Sequence, residues 1–344
     1  MAAPNNLITI GDALRDIEQH RVTRLPVLVL HAHSSCNCRC VMCDIWKTKD
    51  SHALQSGDLQ PHLDSIRHLG VRWVVLSGGE PLLNSEWPQL CSLLRREGIR
   101  VTLLTTGLLL AKHAAQVAEL FDDIIVSLDG PERVHDAIRR VDKAFALLQR
   151  GVDALRKQRP SLRITARTTI QKANHAYLLE TLASAKQLTL NGISFLAADL
   201  TSEAFNRPLG WPTNRQSEVG LSVEELAILE TEIDRLIREN REDIDSGYIA
   251  ESSEKLRRIA RHFRAHLGLD RSESPRCNAP WTSAVIETDG TVRPCFFHPP
   301  IGNIHHSSLK EIINGREALT FRSRLDIPNN SICQRCVCSL NYRT

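Results

Sequence analysis

The chain is 344 residues long, 42% hydrophobic and 24% charged, with a formal net charge of +3. That length allows about two domains of roughly 150 residues with a full core, and so small a charge surplus predicts neither a nucleic-acid partner nor an anionic membrane partner. Apolar runs such as 27–30 and 107–111 fall far short of the ~20 residues of a membrane helix, and residues 1–12 lack the signature of a signal or transit peptide, so a cytoplasmic protein is expected.

In chain order, an N-terminal extension, 1–25, comes first. Apolar, β-branched runs then recur at 26–31, 73–77, 100–105, 123–127, 162–170 and 192–197. Segments of helical period separate them at 59–69, 87–97, 111–120, 143–157 and 177–188. This alternation predicts right-handed βαβ units and a parallel sheet, either doubly wound or curled toward a barrel, with too few units for a closed eight-fold barrel. Chemistry then belongs at the C-terminal strand ends, where 34–43, 78–81, 105–107 and 127–130 carry the special residues.

Residues 203–220 read as a loop closing a core domain, 26–220. Linking helices, 221–274, follow; Ser222 and Glu225 form a capping box, and Leu226, Leu229, Ile233 and Leu236 recur at helical spacing. The next helix carries Arg257, Arg258, Arg261, His262 and Arg264, which reads first as a solvated face and second as a site for an anionic substrate or carrier. The last segment, 275–344, reads as short, turn-rich β structure with a hairpin around Asp289-Gly290.

The 10 cysteines are too sparse for a disulfide scaffold, and their grouping points to metal. Cys36, Cys38, Cys40 and Cys43 lie near one end; Cys277, Cys295, Cys333, Cys336 and Cys338 lie near the other; only Cys91 falls between. Cys36, Cys40 and Cys43 follow a C-x3-C-x2-C pattern directly after the first strand. Three thiolates from one compact loop suit three corners of a 4Fe–4S cube and leave the fourth iron open. Cys277 and Cys295 span a C-x12-G-x4-C hairpin, and Cys333 and Cys336 add C-x2-C. Four such thiolates suit either a structural zinc or a fully ligated 4Fe–4S cluster, and spacing does not separate the two.

With Gly78-Gly79-Glu80-Pro81 after the second strand and Ser127-Leu128-Asp129-Gly130-Pro131 after the fourth, the sequence resembles the radical SAM superfamily. The resemblance implies an α/β fold, a partial (β/α)6 TIM-like barrel, with a small C-terminal β-hairpin-containing iron–sulfur domain of the SPASM or twitch kind. It places S-adenosylmethionine (SAM) on the open iron of the Cys36/Cys40/Cys43 cluster. Gly78, Gly79 and Glu80 would lie at the methionyl ammonium, Ser127 and Asp129 near the ribose, and Arg167 at the carboxylate. Thr105 and Arg139 complete the pattern, and Met42 stands where the family usually has an aromatic residue against adenine. An auxiliary 4Fe–4S cluster would be held by Cys277, Cys295, Cys333 and Cys336, leaving Cys38 and Cys338 spare.

The implied chemistry is reductive SAM cleavage to a 5'-deoxyadenosyl radical that takes a substrate hydrogen, with the electron supplied by a carrier such as flavodoxin or ferredoxin. An auxiliary cluster favours an oxidoreductase. The short stretch before the first strand favours a small polar or sugar-derived substrate over a ribosomal peptide that is cross-linked or epimerised. Asp199, Glu203, Asn206, Arg207, Trp281 and His298 are the candidates for substrate contact. A reading of a different class, a non-catalytic electron carrier or zinc-stabilised binding protein, uses the same cysteines but has no need of Gly-Gly-Glu-Pro.

Overall fold

The β-branched runs assemble into one sheet because each buries apolar side chains that the intervening helices cover. The structure is a computed structural model and describes residues 20–338 and 340–342; most of the expected 1–25 extension lies outside the described residues. Six strands, β1 (Val27–His33), β2 (Trp73–Gly78), β3 (Arg100–Thr105), β4 (Asp123–Ser127), β5 (Arg163–Ile170) and β6 (Ile193–Ala197), pair in parallel in sequence order. Leu28, Leu30, Val74, Leu76, Val101, Leu103, Ile124 and Ile164 are buried in the shared core.

On the free edge of β1, β7 (Ser283–Ile286) adds in parallel with Val27 opposite Ser283. β8 (Thr291–Arg293) and β9 (Gly302–Asn303) continue antiparallel, giving a nine-stranded sheet in the order β6-β5-β4-β3-β2-β1-β7-β8-β9. The C-terminal segment thus extends the core sheet. Its Ile301, Ile304, Leu309, Ile312 and Ile313 belong to the same hydrophobic cluster as the strands. This edge-to-edge extension makes the C-terminal segment a continuation of the sheet beside the strand that leads into the first cysteine loop.

Three segments depart from their sequence reading. Residues 203–220 contain a helix, Thr213–Val219, entered through Pro212. The turn-rich β reading of 275–344 holds for the hairpin but not beyond it, where Leu309–Asn314 and Arg316–Arg324 are helical. A Ser308/Glu311 capping box starts the first of these. Buried Arg322 fixes the second by donating to the carbonyls of His20 and Ile313, both at 2.6 Å. In the third segment a further helix, Glu132–Arg139, follows Pro131. Among the described residues no helix is long and apolar enough to cross a membrane.

Candidate functional site

The loop after β1 is held by backbone on two sides. Its Arg39 and Val41 amides donate to the carbonyls of Arg139 and Ile138, at 3.1 and 3.0 Å, so the end of the Glu132–Arg139 helix straps the loop from one side. On the other, the amides of Gly79 and Glu80 donate to His33 and Ser35 carbonyls at 2.8 and 2.9 Å. That approach explains the paired glycines. A Cβ on Gly79 would stand 2.0 Å from the Ser35 carbonyl oxygen, and Gly78 has φ +112 with His33 O 2.7 Å from any Cβ.

All ten cysteines are free thiols. Burial pushes Cys43 up to about 12, with the nearby Cys40 and Cys36 sulfurs adding to the rise. Cys40 is drawn down to about 7 by a hydrogen bond from the Cys38 thiol, aided by the Arg139 guanidinium and opposed by burial. Cys38, the donor to Cys36 and Cys40, is driven up. Arg139 is buried, ion-pairs with fully buried Asp129 and donates to Cys40 Sγ at 3.5 Å. A cation buried against a thiol favours the thiolate that iron requires. Among the described residues no three His, Cys, Asp or Glu side chains converge on a single ion. A 4Fe–4S cube takes its thiolates on separate irons, and three thiols of one loop, with Cys43 in the field of Cys40 and Cys36, are a donor set of that kind.

The Glu80 carboxylate is fully buried, and burial raises its pKa. It accepts from the Thr105 hydroxyl at 2.8 and 2.9 Å, from the Thr106 hydroxyl at 2.7 Å, and from the amides of Thr106 and Leu82 at 2.8 and 3.1 Å. Those donors occupy the roughly four lone-pair positions a carboxylate offers, so in this arrangement Glu80 ties β2 to β3. Asp129 accepts from the Thr169 amide at 3.0 Å and ties β4 to β5. Ser127 and Arg167 are register partners across the same pair of strands, and Arg167 is exposed with its Nε 3.3 Å from Ser194 Oγ.

Three of the substrate-contact candidates serve the cysteine loop. Arg207 is buried, donates to Asp199 O at 2.8 Å, to its carboxylate at 3.0 Å and to the Met42 carbonyl, and stacks 3.6 Å over Trp211. Trp211 donates to Asp44 at 2.6 Å, and Asn206 donates to the Asp44 carbonyl at 3.2 Å. Arg215, which the sequence reading passed over, reaches the Val41 carbonyl.

The C-terminal thiols lie within one another's electrostatic reach. Burial pushes Cys295 up to about 11, with Cys277 and Cys338 contributing, and Cys333 up to about 12, with Cys295 and Cys277 contributing. Cys336 is raised by burial and then by Cys338, so Cys338 belongs to the same group. Buried His298 sets Nε2 3.3 Å from Cys333 Sγ and its ring against Phe321. Five sulfurs with an imidazole beside one of them fit a multi-iron cluster. Trp281 packs against the hydrophobic core.

A cavity of about 870 Å³ is lined by Gly78 and Gly79 on one hand and by Cys336 of the C-terminal group on the other. Asp199, Glu203, Asn206 and Arg207 line it; Trp281 and His298 do not. The sequence reading missed His31, His33, Phe205, Phe296 and Phe297 in its walls. His31 is lowered to about 4 by burial and by Arg293, and its ring meets Phe296 at 5.2 Å. Phe205 has φ +62, a left-handed conformation rare for an aromatic residue, and stacks toward Phe296 at 5.3 Å. The two histidines sit in the strand-end run 31–33, and that position was the available signal.

The radical SAM superfamily model matches residues 33–185, and an iron–sulfur cluster-binding domain model (SPASM) matches residues 277–337. Among curated relatives, the Fe-coproporphyrin III synthase of Methanosarcina barkeri is 26% identical over 180 residues, 50% of this chain and 44% of that protein. The AdoMet-dependent heme synthase of the same organism is 30% identical over 160 residues, 45% of each. The chain thus spans about half the length of these curated relatives. In fold it resembles anSMEcpe with bound AdoMet, at TM-score 0.64 and 19% identity over 90% of this chain and 86% of that one. It also resembles Streptococcus suis SuiB bound to S-adenosylmethionine, at TM-score 0.61 and 14% identity over 96% and 79%. With one model meeting each cysteine centre, the chain belongs to the radical SAM superfamily, carries a C-terminal SPASM iron–sulfur domain, and has 4Fe–4S clusters and SAM as its cofactors.

Proposed function

We propose that the chain is a radical SAM oxidoreductase acting on a small polar substrate held between its two cysteine centres. The observation that carries this reading is the single cavity of about 870 Å³ whose walls include both the Gly78-Gly79 turn and Cys336. Its volume is that of a pocket for a small molecule. In this reading Cys36, Cys40 and Cys43 hold the SAM-binding cluster, and Cys277, Cys295, Cys333 and Cys336 hold the auxiliary one. When bound, the reduced cluster and SAM supply hydrogen-atom abstraction from an unactivated carbon.

The chain's own residues confine that chemistry. Phe205, Phe296 and Phe297 form an apolar shelf that keeps water from the reacting carbon. His31, its charged form disfavoured by burial, presents a neutral ring to the same space. Glu203 and Asp289 give the walls polar groups for substrate hydroxyls or amines, while Glu287 is engaged by Arg293 at 2.9 Å. Arg207 and Arg139 keep the cysteine loop in place from behind. Cys336 in the wall sets the auxiliary centre beside the substrate, where an oxidation needs an acceptor for its second electron. Relatives named for heme synthesis and for GTP cyclisation favour a small molecule over a peptide.

The test is 5'-deoxyadenosine formation, read by mass spectrometry from anaerobically reconstituted protein with SAM and a strong reductant. Product that disappears in the Cys36/Cys40/Cys43 triple-Ala variant supports the reading. Product that persists in that variant, or none from wild-type protein with iron and SAM bound, overturns it.

A further inference from the structure

A second cavity, of about 610 Å³, lies on the other side of Cys336 and shares Thr201, Arg335 and Cys336 with the first. The Ser253–His266 helix forms one wall, the 209–216 segment a second, and 270–273 a third. Four guanidinium groups face it, from Arg258, Arg261, Arg271 and Arg335, together with the imidazoles of His262 and His266.

This helix divides its cations between two uses. Arg257 pairs with Asp234 at 3.1 Å, and Arg264 pairs with Glu230 at 3.0 Å and Asp270 at 2.7 Å. Those two belong to the solvated face. Arg258, Arg261, Arg271 and Arg335 form no ion pair with a carboxylate among the described residues. Two carboxylates face the same space. Asp270 is engaged by Arg264, and Glu273 is the other. Arg258 also stands in the field of the Cys336 and Cys338 sulfurs, so part of its charge balances the auxiliary centre. That leaves Arg261, Arg271 and Arg335 in excess over Glu273.

We propose that this second cavity is an anion-binding subsite that takes a phosphate or carboxylate group of the substrate while the reacting carbon lies in the first cavity. Guanidinium forks match both anions, and several lining one cavity hold them by charge-assisted hydrogen bonds. Its link to the substrate rests on the function proposed above. The anion site itself can be tested without turnover, so its failure and the failure of that function are separately visible.

Cluster-loaded protein is titrated calorimetrically with inorganic pyrophosphate and, in a second arm, with citrate; the tighter of the two names the source as phosphate or carboxylate. The Arg261→Ala/Arg271→Ala double variant removes two exposed side chains. Arg257→Ala, on the same helix but outside the cavity, controls for general loss of charge. The expected result is saturable binding by wild type and Arg257→Ala, about tenfold or more weaker in the double variant at unchanged iron content. Absence of saturable binding by wild type, an unchanged affinity in the double variant, or an equal loss in Arg257→Ala each overturns the proposal.

Discussion

The loop carrying Cys36, Cys40 and Cys43 is tied to other segments at every turn, whereas the C-terminal thiols lean on contacts made by residues such as Asn330 and Tyr342. At the first centre, four backbone hydrogen bonds from the Gly78-Gly79 turn and the Glu132–Arg139 helix fix the loop, and buried Arg139 and Arg207 bind it from behind. At the second, Cys338 is exposed and Cys277, Cys295, Cys333 and Cys336 are half-buried. There the ties are few. Asn330 accepts from the amides of Ile332 and Cys333 at 3.0 and 3.1 Å, and Asn278 exchanges hydrogen bonds with Tyr342 at 2.7 and 2.8 Å. The first centre is therefore a preformed seat, and the second depends more on its cluster as a cross-link, since metal binding contributes folding energy where the site is not built beforehand.

The largest expected effect falls on the first centre. Arg139→Ala leaves Asp129 a buried charge without its ion-pair partner and removes the donor to Cys40. Breaking a buried pair from one side costs about 3–5 kcal/mol, which lowers the urea midpoint. Iron is lost from the SAM-binding centre while the auxiliary signal in electron paramagnetic resonance is retained. Equal loss from both centres would show that the two do not differ in the way described.

A smaller effect is expected at the second. Asn278→Ala removes the paired hydrogen bonds to Tyr342 and costs about 2 kcal/mol locally. Because the contact secures only the chain end, the midpoint of the core barely moves, and the measurable change is faster release of auxiliary iron to a chelator. A release rate equal to wild type would mean that the second centre is as preformed as the first loop.

The sequence discloses the skeleton of this arrangement and little of its bracing. All six parallel strands, the hairpin, the Ser222/Glu225 capping box and both cysteine groups follow from local pattern, because hydrophobic period and short spacing are local properties. The braces are long-range. Arg139 reaches Cys40 across 99 residues, and Arg207 reaches the Met42 carbonyl across 165. Nothing in either local sequence says which loop the guanidinium will meet. Arg207 therefore reads as a substrate contact and turns out to brace the cysteine loop while lining the cavity. The helices after Ser308 escaped for a related reason: they are short, and Arg322 at the core of one resembles a surface residue until its two carbonyl partners are known.

The finest test concerns electronic properties and leaves folding almost untouched. Burial lowers the His298 pKa, so the ring is neutral at ordinary pH, and its Nε2 sits 3.3 Å from Cys333 Sγ. With the proton on Nε2, it donates to the sulfur, withdraws electron density from the iron and raises the reduction potential of the auxiliary cluster. His298→Phe keeps the ring against Phe321 and removes the donor, so the midpoint potential falls, by roughly tens of millivolts, at unchanged iron content. His298→Gln, which restores an N–H, recovers part of the shift. A potential that stays put in the Phe variant would mean that the imidazole only fills space. The C-terminal thiols would then be tuned by their exposure alone, and the contrast between a braced first centre and a loosely held second would extend to their redox control.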